Sequence, residues 1–263
     1  MLRPGICSVT YRDLPPEEIV SLSAEAGLEC IEWGGDVHVA PGVPDLAEYA
    51  RARTEEAGLA VASLGSYLRF IGTDEQHATR ADVTLVSAEH LRAPRLRVWA
   101  GTEGSAAAGQ DHRELVTRRL RDVAERAGKQ GIEVGLEFHR GTLTDTVAST
   151  LQLLEDVAHP NLTTYWQPNV GLDADEAIAT LRAVRPHVST IHVFSWWPRT
   201  ERLPLSERSD LWRRVFAELA DSGRNHDVLL EFVPGDDPEV LAREAATLRE
   251  LIDEAESGGK TAR

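Results

Sequence analysis

The sequence predicts a single α/β domain folded as a (β/α)₈ barrel, and three observations carry that prediction. The chain has 263 residues, close to the ~250 typical of one such barrel. Eight short strand-like runs alternate strictly with eight helical segments, which implies parallel strands joined by right-handed crossovers. After the first strand, GICSVTYRD has no GxGxxG phosphate cradle, so a doubly wound sheet is the weaker alternative.

The strands are read at GICSVT (5–10), LECIEWG (28–34), LAVASLGS (59–66), RLRVWAG (95–101), IEVGLEFH (132–139), LTTYWQPN (162–169), VSTIHVFSW (188–196) and VLLEFVPG (228–235). Between them lie amphipathic stretches such as PEEIVSLSAEAG, PDLAEYARARTEEAG, DHRELVTRRLRDVAERAG and DEAIATLRAVRP. Several of these begin with Pro or an acid and end at Gly, as helix start and stop signals do. The barrel is expected over residues 1–256, with a disordered tail over 257–263.

With 42% hydrophobic and 27% charged residues and no long low-complexity tract, the chain can bury a sizeable core. Its 28 Lys and Arg against 43 Asp and Glu give a net charge of −15, a surface that repels phosphate backbones and anionic lipids. Neither nucleic acid nor a membrane is an expected partner. The two cysteines, Cys7 and Cys30, fall inside strands and read as buried free thiols of a reducing compartment. The N-terminus lacks a signal-peptide pattern and no apolar run approaches a bilayer span, so a cytoplasmic location is expected.

Two strands contain a misplaced acid. VGLEFHRG (134–141) places Glu137 in an apolar run, and VLLEFVPG does the same with Glu231. Side chains on a strand alternate between faces. Gly135, Glu137 and His139 therefore share one face, opposite Leu136 and Phe138; Leu229, Glu231 and Val233 oppose Leu230 and Phe232. If the large apolar residues meet the outer helices, both glutamates turn into the barrel near its C-terminal mouth, where barrel enzymes do their chemistry. The same parity groups Tyr165, Gln167 and Asn169 on the sixth strand, and His192, Phe194 and Trp196 on the seventh.

Taken singly, a buried Glu can pair with an Arg, and a strand His is more often a satisfied core residue than a ligand. Four polar groups at one height on successive strands point instead to a divalent cation held by Glu137, Gln167, His192 and Glu231. Such an ion lets two close carboxylates remain ionised. Mn²⁺ is the foremost candidate, with Mg²⁺, Co²⁺ and Zn²⁺ as alternatives. Around the mouth, Glu32 and His38 follow the second strand, Tyr67 and Arg69 the third, and Trp196, Arg199 and Arg202 the seventh. These, with Asn169, are expected to touch substrate. Aromatic faces stack on sugar rings and Arg holds hydroxyls or anions; solvated loops, local ion pairs or lid packing are the plainer explanations. His139 is expected as a substrate contact or proton carrier.

The order Glu, polar ligand, His, Glu on strands five to eight resembles the xylose-isomerase-like TIM-barrel superfamily, in its sugar phosphate isomerase/epimerase branch, over essentially the whole chain. The resemblance implies that Glu137 and Glu231 both bind metal and shuttle a proton, and that the protein acts on a small-molecule sugar as a homodimer or homotetramer. The family pattern has Asp where this chain has Gln167. Metal plus two carboxylates suits proton abstraction next to a carbonyl through an enediolate. An isomerase or epimerase is the first expectation. A lyase expelling a leaving group from an oxidised (3-keto) glycoside is the second, and a non-catalytic carbohydrate-binding or partner subunit the third. The abasic-site endonuclease branch is disfavoured by the −15 charge. The sequence has no lone basic cluster for a phosphate, so an unphosphorylated substrate is expected.

Overall fold

The computed structural model describes residues 1–258. The strands are β1 (Leu2–Cys7), β2 (Cys30–Gly34), β3 (Ala60–Gly65), β4 (Arg95–Val98), β5 (Glu133–Glu137), β6 (Leu162–Trp166), β7 (Val188–Val193) and β8 (His226–Leu230). They pair in parallel with their sequence neighbours, and β1 pairs with β8 to close the barrel. The helices are α1 (Pro16–Glu25), α2 (Pro44–Glu56), α3 (Asp74–His90), α4 (Gln110–Lys129), α5 (Val147–Val157), α6 (Ala174–Val184), α7 (Ser209–Ala220) and α8 (Leu241–Gly258). The predicted fold is the observed one. Helix α8 runs two residues into the stretch expected to be disordered, and residues 259–263 lie outside the described residues.

Local chemistry starts the helices where the sequence indicates. Pro occupies the first turn of α1 and α2, where its missing N–H is no loss. Thr73 with Gln76, and Asp173 with Glu176, form capping boxes at α3 and α6. The first strand begins and ends earlier than expected. Residues 8–11 wind into a 3₁₀ turn, and the Ser8 hydroxyl accepts a bond from the Gly34 N–H.

The helices cover an apolar shell in which Trp33, Trp166, Trp212, Phe138 and Phe216 are fully buried. Inside the barrel the inward residues stack in three layers. At the N-terminal end Arg3 and Arg95 bond Asp227, and Arg95 also bonds Glu133. The middle layer is apolar and alternates small with large: a Cβ on Gly5 would meet Cys30 and Leu229, and one on Gly135 would meet the ring of Tyr165. The third layer, at the C-terminal ends of the strands, holds the charged groups of the site. Among the described residues no helix is long and apolar enough to cross a membrane.

Candidate active site

Glu137 ends β5, His192 is the penultimate residue of β7, and Gln167 and Glu231 lie just beyond β6 and β8. The Glu231 N–H still donates to the Val193 carbonyl at 2.9 Å, so the ladder carries its side chain inward. All four residues are 0 to 9% exposed. They meet one another: Gln167 Nε2 donates to Glu137 Oε1 at 3.3 Å, and Gln167 Oε1 lies 3.1 Å from His192 Nδ1. Glu231 Oε2 lies 3.4 Å from the same Nδ1. A six-coordinate dication spaces neighbouring ligand atoms about 3 Å apart and a tetrahedral one about 3.4 Å. The donor set therefore fits a divalent ion in both spacing and type. The His192 Nε2 side faces Glu32 Oε1 at 3.4 Å, and a carboxylate on the far ring nitrogen is the usual way to orient a ligating imidazole.

Arg97, on β4, is the residue that reading the sequence for acids and imidazoles missed. Its Nη1 donates to Glu137 Oε2 and its Nε lies 3.1 Å from Glu32 Oε1, with all three side chains buried. Two carboxylates thus face one guanidinium, and with Glu231 on His192 the layer holds three, which that guanidinium and a dication beside a neutral His192 would balance. Burial opposes ionisation of Glu137, yet Arg97 and then His192 outweigh it and hold this carboxyl below its ordinary range. Burial likewise opposes charge on Glu32, but Arg97 and His192 bring it down to about 2. Burial pushes the neighbouring Cys7 thiol up to about 12, so it stays neutral against His192. Burial works against a charged His192, and Cys7 together with the carboxylates Glu231 and Glu32 holds its pKa above the ordinary range. An ion that took Nδ1 would therefore displace a proton.

Above this layer opens a cavity of about 290 Å³, at the small end for small-molecule sites. Glu137, Gln167, Glu231 and Arg97 form part of its lining, with His139, Trp99, Tyr67, Asn169, Phe194 and Trp196 around them. His139 stacks on Trp99 with ring centroids 4.3 Å apart, and the Arg69 guanidinium lies 4.0 Å from the Trp99 centroid. The His139 Nδ1 faces the Arg140 carbonyl at 2.7 Å. A carbonyl only accepts, so Nδ1 carries hydrogen and Nε2 of the neutral ring is left as the basic nitrogen. A larger hollow of about 450 Å³, lined by Leu154, His159 and Arg224, sits at the opposite end of the barrel, away from these groups.

Several residues expected at the mouth stand elsewhere. Glu32 lies in the barrel interior, accepting from Ser63 Oγ at 2.6 Å and facing Arg97. It is outside the cavity lining because β2 carries it inward one layer below the loop. His38 is buried against Ser8 Oγ and the Leu14 carbonyl, so it pins the loop after β2. Arg199 is exposed, and Arg202 pairs with Asp236 and covers the rings of Phe232 and Trp196. The Asn169 amide donates to the Asp145 carbonyl at 3.1 Å on the cavity wall. Parity fails after Glu231: Phe232 adopts φ +61°, turning its ring into the cavity and sending Val233 to the outer core. A bulky residue in the left-handed region is costly and persists where surrounding contacts enforce it. Here the Phe232 N–H donates to Thr10 Oγ1 and Arg202 stacks on the ring.

Comparison with known proteins agrees with this geometry. The chain is 26% identical to a 3-dehydroshikimate dehydratase of Bacillus anthracis, over 94% of this chain and 96% of that protein. The crystal structure of the probable 3-DHS dehydratase involved in petrobactin synthesis from the same organism superposes with a TM-score of 0.77 at 23% identity, covering 95% and 99% of the two chains. An L-ribulose 3-epimerase gives 0.73 at 19% identity over 99% and 98%. A xylose isomerase-like TIM-barrel protein of Mycobacterium smegmatis in complex with magnesium gives 0.71 at 17% over 93% and 91%. The family model for the xylose isomerase-like TIM barrel matches residues 20–252. With the closed eight-stranded barrel and its row of inward polar groups, that match establishes that the chain belongs to the xylose isomerase-like TIM-barrel family.

Proposed function

We propose that this protein is a divalent-metal-dependent lyase that removes water from a small hydroxy-ketone acid of the dehydroshikimate type. The observation that carries this reading is the unequal engagement of the proton-carrying groups at the cavity. Glu137 is bound on one oxygen by Arg97, which holds its carboxyl below the ordinary range and weakens it as a base. His139 presents a basic Nε2 at the cavity wall. With Glu137 and Glu231 taken up as ligands, one free base beside the ligand set suits elimination, whereas epimerisation needs a proton carrier on each face of the carbon. The end-to-end likeness to a 3-dehydroshikimate dehydratase supports the same choice and ranks the lyase above the sugar isomerase or epimerase expected first.

Glu137, Gln167, His192 and Glu231 would hold the ion, with Mn²⁺ or Mg²⁺ suiting a mainly oxygen donor set. Once bound, the ion supplies Lewis-acid polarisation of the substrate carbonyl. His139 Nε2 takes the proton from the carbon next to that carbonyl, and the C–H electrons delocalise onto the oxygen. As they return to form a carbon–carbon double bond, the β C–O bond breaks, and the His139 imidazolium gives its proton to the departing hydroxyl, which leaves as water. Arg140 lines the cavity outside any ion pair among the described residues and suits a substrate carboxylate, while Arg69 lies behind it on the Trp99 ring. The rings of Trp99, Trp196 and Phe232 supply the apolar faces.

A sugar 3-epimerase is the second reading, favoured by Glu137 and Glu231 lining one cavity and by likeness to the L-ribulose 3-epimerase fold. Incubating the metal-loaded protein in D₂O with 3-dehydroshikimate and, separately, with ketoses decides between them. The lyase reading expects water loss from the first, slowed roughly 10²–10⁴-fold in His139→Gln. Deuterium entering a ketose while 3-dehydroshikimate is untouched would replace it with the epimerase.

A further inference from the structure

We propose that Arg97 is a built-in counter-cation that sets how weakly the site holds its divalent ion, an inference that rests on the ligand role of Glu137, Gln167, His192 and Glu231. A guanidinium is permanently charged. This one is 3% exposed, bonded to the ligand carboxylate Glu137 and lying 3.1 Å from Glu32. No bulk water separates it from the ligand set, so its positive charge opposes a dication on the same carboxylate with little screening.

Two further features show that the berth is built for this cation. Gly65 leaves the space it fills: a Cβ there would stand 2.7 Å from Arg97 Nη2 and 2.8 Å from Glu32 Oε1. The ligand groups are also bonded to one another. Glu137 Oε2 accepts from Arg97, Glu137 Oε1 accepts from Gln167 Nε2, and Gln167 Oε1 meets His192 Nδ1. An entering ion must take over the contacts of Gln167 and His192 while sharing Glu137 with a fixed positive charge.

The test is calorimetric titration of the chelator-stripped protein with Mn²⁺. Wild type is compared with Arg97→Met, Arg97→Lys, Gln167→Asp and Glu231→Gln. Arg97→Met should bind the ion at least about tenfold more tightly, and Arg97→Lys, which keeps the charge, should stay within about threefold of wild type. Gln167→Asp adds a ligand charge and should tighten binding; Glu231→Gln should weaken it. If neither wild type nor Gln167→Asp takes up an ion, the ligand assignment fails, independently of Arg97. If those two bind, Glu231→Gln binds less, and Arg97→Met binds no more tightly than wild type, the ligand assignment stands and the counter-cation role is overturned. Should Arg97→Met not fold, Arg97→Gln removes the charge while keeping a polar group between the two carboxylates. A gain in affinity there supports the proposal, and an unchanged affinity refutes it.

Discussion

Replacing Gly135 with Ala tests whether barrel packing, rather than the ligands alone, sets the geometry of the site. A Cβ at this position would lie 2.3 Å from Tyr165 Cε1 and 2.7 Å from Cδ1. Ordinary carbon contacts are about 3.5–4.0 Å, so the ring must retreat by more than about 1 Å. It has little room to do so. Tyr165 is fully buried with its edge against His192, centroids 5.4 Å apart, and the same layer is already tight where Gly5 meets Cys30 and Leu229. Overpacking of this kind costs about 1–3 kcal/mol. With an unfolding entropy of ~2.1 cal/mol/K per residue over 263 residues, that is a Tm lowered by about 2–5 °C. Because the displaced ring pushes on His192, Mn²⁺ affinity should fall as well. Thermal melts with and without Mn²⁺ read both effects, and Gly135→Ala/Tyr165→Leu should recover much of the stability. A Gly135→Ala protein that melts within about 1 °C of wild type and binds the ion unchanged would refute the reasoning.

At the opposite end of the barrel, Asp227→Ala should lower stability by about 3 kcal/mol by leaving Arg95 and Arg3 short of a carboxylate. Its Mn²⁺ affinity should match wild type, and a lost affinity would show that the two charged layers are coupled. Burial, with Arg224 and the N-terminus, pulls the pKa of His226 from 6.5 down to about 4. As pH falls through this range the unfolded chain binds the proton first. Stability is therefore complete above pH 6.5 and is lost toward pH 4 by up to about 3 kcal/mol. Melts across this window should show a shallower slope for His226→Gln, and parallel profiles would sink the assignment. Trp99→Leu removes the surface on which both His139 and Arg69 stack, so turnover of 3-dehydroshikimate should drop at least about tenfold with ion affinity unchanged. Full activity in that variant would show that the stack positions nothing.

The row of inward polar groups was legible because strand parity is purely local. Once the eight-fold alternation indicates a barrel, period two sends Glu137, Gln167, His192 and Glu231 inward at one height, which is where they stand. Arg97 obeys the same parity with Arg95, two arginines spaced i, i+2 in an apolar strand. The signal was there, but a search for metal ligands passes over a residue that cannot bind metal. The rim was less legible because loops have no period. His38 lies close in sequence to the mouth yet turns away to Ser8, and Trp99 and His139 meet across two loops.

The sequence by itself determined the barrel and its polar interior row, since alternation and parity are properties of residue order. Only the tertiary structure decided which charges share a carboxylate and how Phe232 turns into the cavity at φ +61°. Those outcomes depend on distances between strands and loops far apart in the chain, and no local pattern encodes them.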